Sequence, residues 1–329
     1  MKNEEFYTIG IDGGASNTRG VLVNHLGETL STFILNSGTN LSVYCETAAE
    51  RIVNVISKLS SLSNIPFDSI DAVGLGLAGA SSNEGRDQVF KKLDALNLSK
   101  RTLIANDAET AYLINCPTDR GVLVTVGTGI ICIAKNNDGK IIRTAGQGHD
   151  KGDIGSGFWI GKQIISNLAL NETSVMGDTY LEELMDLFLQ TMDSKNFNSA
   201  VEKVYEHDEQ IKMIAQLAKP LIECAGNGNE IALSILQEAT HSVANYIKHI
   251  NDELNYSSND LVLAGNGSII KNEKFRKSVN DELCFDYSDI KWTFSKISSA
   301  YGSAMMAASL YDVNIEISDI LKGEKFVSS

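Results

Sequence analysis

The feature that most constrains the fold of this chain is a three-strand pattern that occurs twice. Residues 7–33 contain three β-rich runs, joined by a glycine-rich turn, GGASN, and then by a short turn, HLGE. Residues 121–145 repeat this plan, with Gly-Thr-Gly at the first turn and NDG at the second. Turns this short leave no room for a crossover connection, so each copy predicts an antiparallel meander.

The pattern after each meander predicts the rest of an α/β domain. Residues 43–59 have helical spacing, and alternating strands and helices follow in IDAVGLGLAG, NEGRDQVFKKLDAL, RTLIAND and AETAYLI. After the second meander come a long helical stretch from about Ser156 to Lys248, the strand DLVLAGN and a closing helix. The sequence therefore predicts two related α/β domains, 1–117 and 118–329, that face each other across a cleft. We expect the closing helix, at about 298–312, to pack back on the first domain.

Composition excludes several classes of partner. The net charge of −14 would repel nucleic acid and anionic lipid, so neither is an expected partner. The chain has no apolar run of about 18 residues and no secretory signal pattern, so we expect it to be cytoplasmic. The five cysteines are scattered without a CxxC pair, which gives no support for zinc or an iron–sulfur cluster.

The two glycine turns differ in one informative way. The first, in GIDGGASNTRG, begins with the carboxylate of Asp12 and continues with the bare backbone of Gly13 and Gly14, whereas Val126 precedes the second. A turn needed only for its geometry would not require that carboxylate. A plain Asp-Gly hairpin nevertheless explains the same local sequence.

Five segments in order resemble one family: GIDGGASNTRG, NSGTN, LIANDAETAYL, VTVGTGI and GQGHDKGDIGSGFWIGKQ. Together with the strand at Leu261, they resemble the BadF/BadG/BcrA/BcrD-type ATPases of the sugar kinase, actin and Hsp70 superfamily. Within that family they are most similar to the eukaryotic-type N-acetylglucosamine kinases. The resemblance implies two ribonuclease H-like (actin-like ATPase) domains with mixed five-stranded sheets that face a central cleft.

The resemblance implies a site for ATP and Mg²⁺. In the family, the aspartate at the position of Asp12 holds Mg²⁺, commonly through water, while bare amides face the phosphates. The implied nucleotide-binding residues are Gly13, Gly14, Ser16, Asn17, Thr18, Gly127, Thr128, Gly129, Gly265, Asn266 and Gly267. From local sequence alone, the second of these turns is equally a β-turn whose glycines supply positive φ.

Asp107 occupies the position of the family's catalytic aspartate. It follows a buried strand, at the end of an α/β sheet where ligands bind, and there it would accept the proton of the attacking sugar hydroxyl. A structural explanation is also available, because Asn106 can cap the helix that follows and Glu109 stands at its third position. The two explanations are compatible, since the helix dipole would keep the carboxylate ionised.

For the acceptor sugar, the resemblance implies contacts from Asn40, Asp107, Gly148 and Asp153. Loop asparagines often form turns, and Asp153 alternatively caps the helix that begins near Ser156. The family pattern changes at Gln147 and Ile154, which replace a tryptophan and a glutamate beside the sugar, and at Ile130, which replaces a serine. Glucosamine or another hexose therefore stays open as the acceptor. His149 is expected to be structural.

The sequence thus predicts a homodimeric enzyme that phosphorylates an amino sugar or hexose with ATP. N-acetylglucosamine at the 6-hydroxyl is the acceptor that the resemblance implies, with Asp107 as general base. Two alternatives remain open: a BadF-type ATPase that activates a redox partner, and a catalytically inactive sugar sensor.

Overall fold

Both predicted meanders are present in the computed structural model, where each supplies three strands of a five-stranded mixed sheet. The structure describes residues 5–116, 121–171, 175, 177–254, 260–318 and 320, apart from the side chains of Asp150 and Asp260. The chain divides into two units, Met1–Pro117 with Ser295–Ser329, and Thr118–Phe294. The predicted boundary between residues 117 and 118 lies outside the described residues.

The elements of the described residues follow the predicted alternation. The strands are β1 (Tyr7–Gly13), β2 (Thr18–Asn24), β3 (Thr29–Leu35), β4 (Ala72–Leu77), β5 (Thr102–Asn106), β6 (Val122–Val126), β7 (Ile130–Lys135), β8 (Ile141–Ala145), β9 (Asp260–Asn266) and β10 (Asp289–Thr293). The helices are α1 (Leu41–Ser63), α2 (Asn83–Asp94), α3 (Asp107–Asn115), α4 (Gly157–Leu170), α5 (Thr179–Met192), α6 (Phe197–Tyr205), α7 (Gln210–Ala215), α8 (Ala218–Gly226), α9 (Glu230–Leu254), α10 (Glu273–Leu283) and α11 (Ser299–Ser309).

The two sheets have the same topology. The first has the order β3-β2-β1-β4-β5, and the second has the order β8-β7-β6-β9-β10. In each sheet the three strands of the meander pair antiparallel with one another. The other two strands run parallel to the first strand of that meander, which is β1 in one sheet and β6 in the other. The sequence prediction of an α/β fold with two mixed five-stranded sheets is therefore confirmed.

Successive side chains of β2 pack into two separate hydrophobic clusters, one on each face of the first unit's sheet. Leu22 packs with α1 residues such as Ile52, while Val21 and Val23 pack with α11 residues such as Tyr301. This division follows from the two-residue period of a strand, which points successive side chains to opposite faces. The sheet is therefore covered by helices on both sides.

Helix α11 approaches the first sheet at two glycines. A Cβ atom on Gly10 would clash with Ala300 and Ala304, and one on Gly74 would clash with the carbonyl of Ser303. The Ser303 hydroxyl also donates to a carbonyl of β1, at 2.8 Å. The small residues of this helix are thus matched by strand positions that lack a side chain.

None of the helices in the described ranges combines the length and the apolar character that a membrane span requires.

Candidate functional site

Two aspartates lie at the same edge of the first sheet. Asp12 lies near the end of β1, where it pairs with Gly76 of β4. Asp107 directly follows β5, whose last residue, Asn106, pairs with Leu77 of β4. Because β1 and β5 both run parallel to β4, their carboxyl ends share one edge, which is where open α/β sheets bind ligands.

Both carboxyl groups lie in surroundings that disfavour negative charge. Burial raises the pKa of Asp12 to about 6, and Arg19, whose guanidinium lies 4.0 Å away, opposes that rise. The pKa of Asp107 is raised to about 7: burial is the largest cause, the charge of Asp12 adds to it, and the N–H of Ala108 opposes it. The start of α3 therefore does not keep this carboxylate fully ionised at neutral pH, contrary to the expectation from the sequence. The Asp12 carboxylate supplies the hard oxygen ligand that Mg²⁺ prefers, and the Asp107 carboxylate adds negative charge beside it. The residues present therefore fit a divalent cation.

The repulsion between these two aspartates has a measurable consequence. Replacing Asp12 with Asn removes one negative charge, so the pKa of Asp107 is expected to fall, as carboxyl-carbon NMR titration of the metal-free protein would measure. Glu109→Gln is the control, because Glu109 raises the same pKa by less and its loss should produce a smaller shift. An unchanged Asp107 pKa in Asp12→Asn would contradict the coupling.

The first glycine turn, residues 13–18, lies against the NSGTN segment, residues 36–40. The Thr39 N–H donates to the Gly14 carbonyl at 2.9 Å. The Thr18 hydroxyl donates to the Ser37 carbonyl at 2.8 Å, and Thr18 is fully buried. The hydroxyl of Thr18 therefore supports the turn from inside the unit.

The second glycine turn, residues 127–129, lies against the start of α4. The carbonyls of Gly127 and Thr128 accept the N–H groups of Gly157, at 2.8 Å, and Phe158, at 3.0 Å. The loop after β9 also touches this turn, because a Cβ on Gly267, whose φ is +91°, would clash with the Val126 carbonyl. Two of the predicted nucleotide-binding segments are thus adjacent within the second unit.

Both turns present open backbone. A Cβ placed on Gly14 or on Gly129 would meet no atom within 4 Å. Among the described residues, no acceptor takes the N–H of Ala15 or of Gly129. Unpaired amides beside open space fit the oxygens of a phosphate.

Asp153 holds a loop rather than a helix end. Its two carboxylate oxygens accept the N–H groups of Gln147, at 2.9 Å, and Gly148, at 3.0 Å, and the residue is buried. The alternative that Asp153 caps the next helix is wrong, because Ser156 caps α4 and accepts the N–H of Trp159 at 3.1 Å. The cap and the carboxylate have separate functions here.

The positions that depart from the family pattern differ in burial: Ile130 is buried, Ile154 is partly buried and Gln147 is exposed. Ile130 begins β7 and is buried in the second unit's core. The backbone of Ile154 lies near the Tyr246 hydroxyl; burial and the nearby charge of Asp153 raise the pKa of that hydroxyl, and the Ile154 N–H opposes the rise. The His149 ring packs edge-on against the Phe158 ring, with centroids 5.2 Å apart, in agreement with a structural role.

Asn40 and Asn106 are both helix caps. The Asn40 side-chain oxygen accepts the N–H of Ser42 at 2.9 Å, at the start of α1. The Asn106 side-chain oxygen accepts the N–H of Ala108 at 3.0 Å, at the start of α3. Capping occupies the oxygen of Asn40 and leaves its amide hydrogens for other partners.

The predicted site residues are divided between the two units. Those in the first unit are Asp12, Gly13, Gly14, Ser16, Asn17, Thr18, Asn40 and Asp107, and those in the second are Gly127, Thr128, Gly129, Gly148, Asp153, Gly265, Asn266 and Gly267. The sequence did not indicate Tyr44 or Arg51, which contact the carbonyls of Ala15 and Gly38. Their partners lie 29 and 13 residues away, and no local pattern marks such pairs.

The BadF/BadG/BcrA/BcrD ATPase family matches this chain over residues 9–307, which is most of its length. Among individual relatives, the chain is 28% identical to the N-acetylmuramic acid/N-acetylglucosamine kinase of Clostridium acetobutylicum, over 93% of this chain and 99% of that protein. It is 25% identical to the N-acetyl-D-glucosamine kinase of Dictyostelium discoideum, over 93% and 98% of the two chains.

A similar fold is found in a Chromobacterium violaceum protein assigned provisionally as an N-acetylglucosamine kinase. That structure superimposes with a TM-score of 0.72 over 92% of this chain and 99% of its own, at 19% identity. The similarity supports the same fold for both chains.

Proposed function

The chain belongs to the BadF/BadG/BcrA/BcrD ATPase family, and we propose that it is an ATP-dependent sugar kinase. The observation that carries this proposal is the position of Asp107, which follows β5 at the ligand-binding edge of the sheet and has a pKa near 7. A carboxyl group with that pKa exchanges a proton readily near neutral pH, as a general base must. The names of the two full-length relatives support the same activity.

In the proposed reaction Asp107 takes the proton of the acceptor. The sugar hydroxyl oxygen forms a bond to the γ-phosphorus of ATP, and the bond from that phosphorus to ADP breaks. The hydroxyl proton passes to the Asp107 carboxylate, so the product is a sugar phosphate ester. Because Asp107 must be ionised to accept the proton, kcat/KM should fall as the pH drops through its pKa.

The chain's own groups suit the phosphates of ATP. The N–H groups of Ala15 and Gly129 lie at open turns and would donate to phosphate oxygens. Asp12 would hold Mg²⁺, directly or through water, which would neutralise part of the phosphate charge when bound. The loop at Gly265–Gly267 would take the adenosine.

For the acceptor we propose an N-acetylhexosamine, phosphorylated at its 6-hydroxyl. The Clostridium relative's name adds N-acetylmuramic acid to N-acetylglucosamine as an acceptor class. Asp153 would bind sugar hydroxyls through the remaining lone pairs of its oxygens, since each oxygen accepts one backbone N–H and has room for a second donor. The amide hydrogens of Asn40 would donate to the sugar.

A coupled ADP-release assay tests this function. With Mg²⁺-ATP, N-acetylglucosamine and N-acetylmuramic acid should each be compared with N-acetylmannosamine, glucosamine and glucose. We expect the highest kcat/KM for one of the two N-acetylated sugars named by the relatives. If turnover is highest with glucosamine or glucose, the protein is still a sugar kinase, but its acceptor is not an N-acetylhexosamine. No turnover with any sugar, by folded protein that binds ATP, would contradict the kinase.

A further inference from the structure

Tyr44 and Arg51, both on α1, hold two separate loops of the first unit. The Tyr44 hydroxyl donates to the carbonyl of Ala15, in the first glycine turn, at 3.1 Å. Arg51 donates to the carbonyl of Gly38, in the NSGTN segment, at 2.7 Å. The Arg51 guanidinium also lies over the Tyr44 ring, 4.8 Å from its centroid, so the two side chains support each other.

The two loops are in direct contact where these side chains hold them. A Cβ on Gly38 would clash with the carbonyl of Ala15, so the backbones touch. The Thr39 N–H donates to Gly14, and the hydroxyls of Thr18 and Thr39 lie 3.1 Å apart in the interior. A displacement of one loop therefore requires a displacement of the other.

The backbone beside Tyr44 is strained. Cys45 has φ 40° and ψ −110° inside α1, which an L-residue adopts only when its surroundings impose it. The residues before it are fixed at both ends, since Asn40 caps the helix and Tyr44 bonds to Ala15. The strained residue therefore directly follows Tyr44, whose hydroxyl is bonded to the first glycine turn.

We propose that Tyr44 and Arg51 are positioning residues that hold the first glycine turn and the NSGTN segment in a single arrangement. This inference rests on the proposed function, in which the turn binds phosphate and Asn40 of the segment binds the sugar. Loss of either side chain would weaken both sites together, although neither residue contacts the reacting atoms. Binding of nucleotide and binding of sugar would then be coupled through this pair.

Hydrogen–deuterium exchange of the ligand-free protein tests, independently of catalysis, whether Tyr44 and Arg51 hold the two loops in place. The variants are Tyr44→Phe, which removes only the hydroxyl, and Arg51→Met, which removes the guanidinium and keeps an extended side chain. In both we expect amide exchange in residues 13–18 and 36–40 to become about tenfold faster, because local opening becomes easier. In kinetic assays the KM values for ATP and sugar should rise together, by about fivefold or more, as misplacement affects both ligands.

Arg101→Met is the matched control. Arg101 also belongs to the first unit and donates to backbone carbonyls, those of Asp68 and Ile70, but these precede β4 at the opposite edge of the sheet. We expect this variant to leave exchange at both loops unchanged. Unchanged exchange at both loops in Arg51→Met and Tyr44→Phe, or equal acceleration in Arg101→Met, would overturn the proposal. If the protein phosphorylates no sugar but exchange accelerates as expected, the positioning role of Tyr44 and Arg51 is supported. Only the proposed kinase function is then contradicted.

Discussion

Replacing Asp107 with Asn is expected to reduce kcat by about 10²- to 10⁴-fold, the usual contribution of a general base. Asparagine has nearly the same shape and can still accept the Ala108 N–H, but it cannot take the proton of a sugar hydroxyl. ATP and sugar affinities, measured by calorimetry, should change little. Glu109→Gln, two residues further along the same helix, is the control and should retain most of the wild-type kcat.

The same substitution should increase stability at neutral and higher pH. The folded protein binds the Asp107 proton up to about pH 7, whereas the unfolded chain releases it near the ordinary value of 3.8. Protonation thus favours the folded state, and this stabilisation is lost as pH rises toward and through 7. Asn carries no charge, so Asp107→Asn should be more stable by about 1–2 kcal/mol near pH 8, after allowing for solvent screening, and by almost nothing near pH 4.

Thermal unfolding at the two pH values measures this difference. An Asp107→Asn variant with full kcat would remove Asp107 from the general-base role. A variant that loses kcat as expected, but is no more stable than wild type near pH 8, would contradict the unfavourable environment inferred for the Asp107 carboxylate.

Replacing Gly74 with Ala should destabilise the first unit by about 3 kcal/mol, at the upper end of ordinary overpacking. The new Cβ would clash with the carbonyl of Ser303 in α11, and a helix backbone cannot move aside as a side chain can. For a unit of this size, the midpoint of thermal unfolding should fall by roughly 6–12 °C. A midpoint within about 2 °C of wild type, the shift expected for less than about 1 kcal/mol, would contradict the close packing of α11 on β4.

Gly14→Ala is the matched control for that substitution. A Cβ on Gly14 meets no atom within 4 Å, so the unfolding midpoint should be unchanged. The methyl group would occupy the space assigned to phosphate, and the Kd for ATP should rise by about tenfold or more. Gly74→Ala therefore tests packing, and Gly14→Ala tests nucleotide binding.

Strands and turns were predictable from local pattern, and tertiary contacts were not. Both meanders, the helix after Asp107 and its Asn106 cap follow from strand alternation and from the preference of Asn for helix starts. The small residues of α11 indicated close packing, but only the structure identifies Gly10 and Gly74 as the residues opposite them.

In the candidate site, residue types were easier to predict than their partners. Asp153 has a carboxylate that could cap a helix or bind a loop, and the choice depends on where residues 147 and 148 fold back to meet it. Ser156 was a recognisable cap in its own right, and this was the available signal that Asp153 had another role. Tyr44 and Arg51 could not be found, since their bonds go to backbone carbonyls, which every residue has.

The most direct test of the central claim is the stoichiometry of products. Wild-type protein should be incubated with Mg²⁺-ATP and N-acetylglucosamine or N-acetylmuramic acid, with ADP and sugar phosphate quantified together by ³¹P NMR. The proposed kinase predicts one sugar 6-phosphate for each ADP formed, and almost no ADP when the sugar is omitted. ADP that forms without any sugar phosphate, at a rate independent of sugar, would contradict the account and favour an ATPase that acts on another partner.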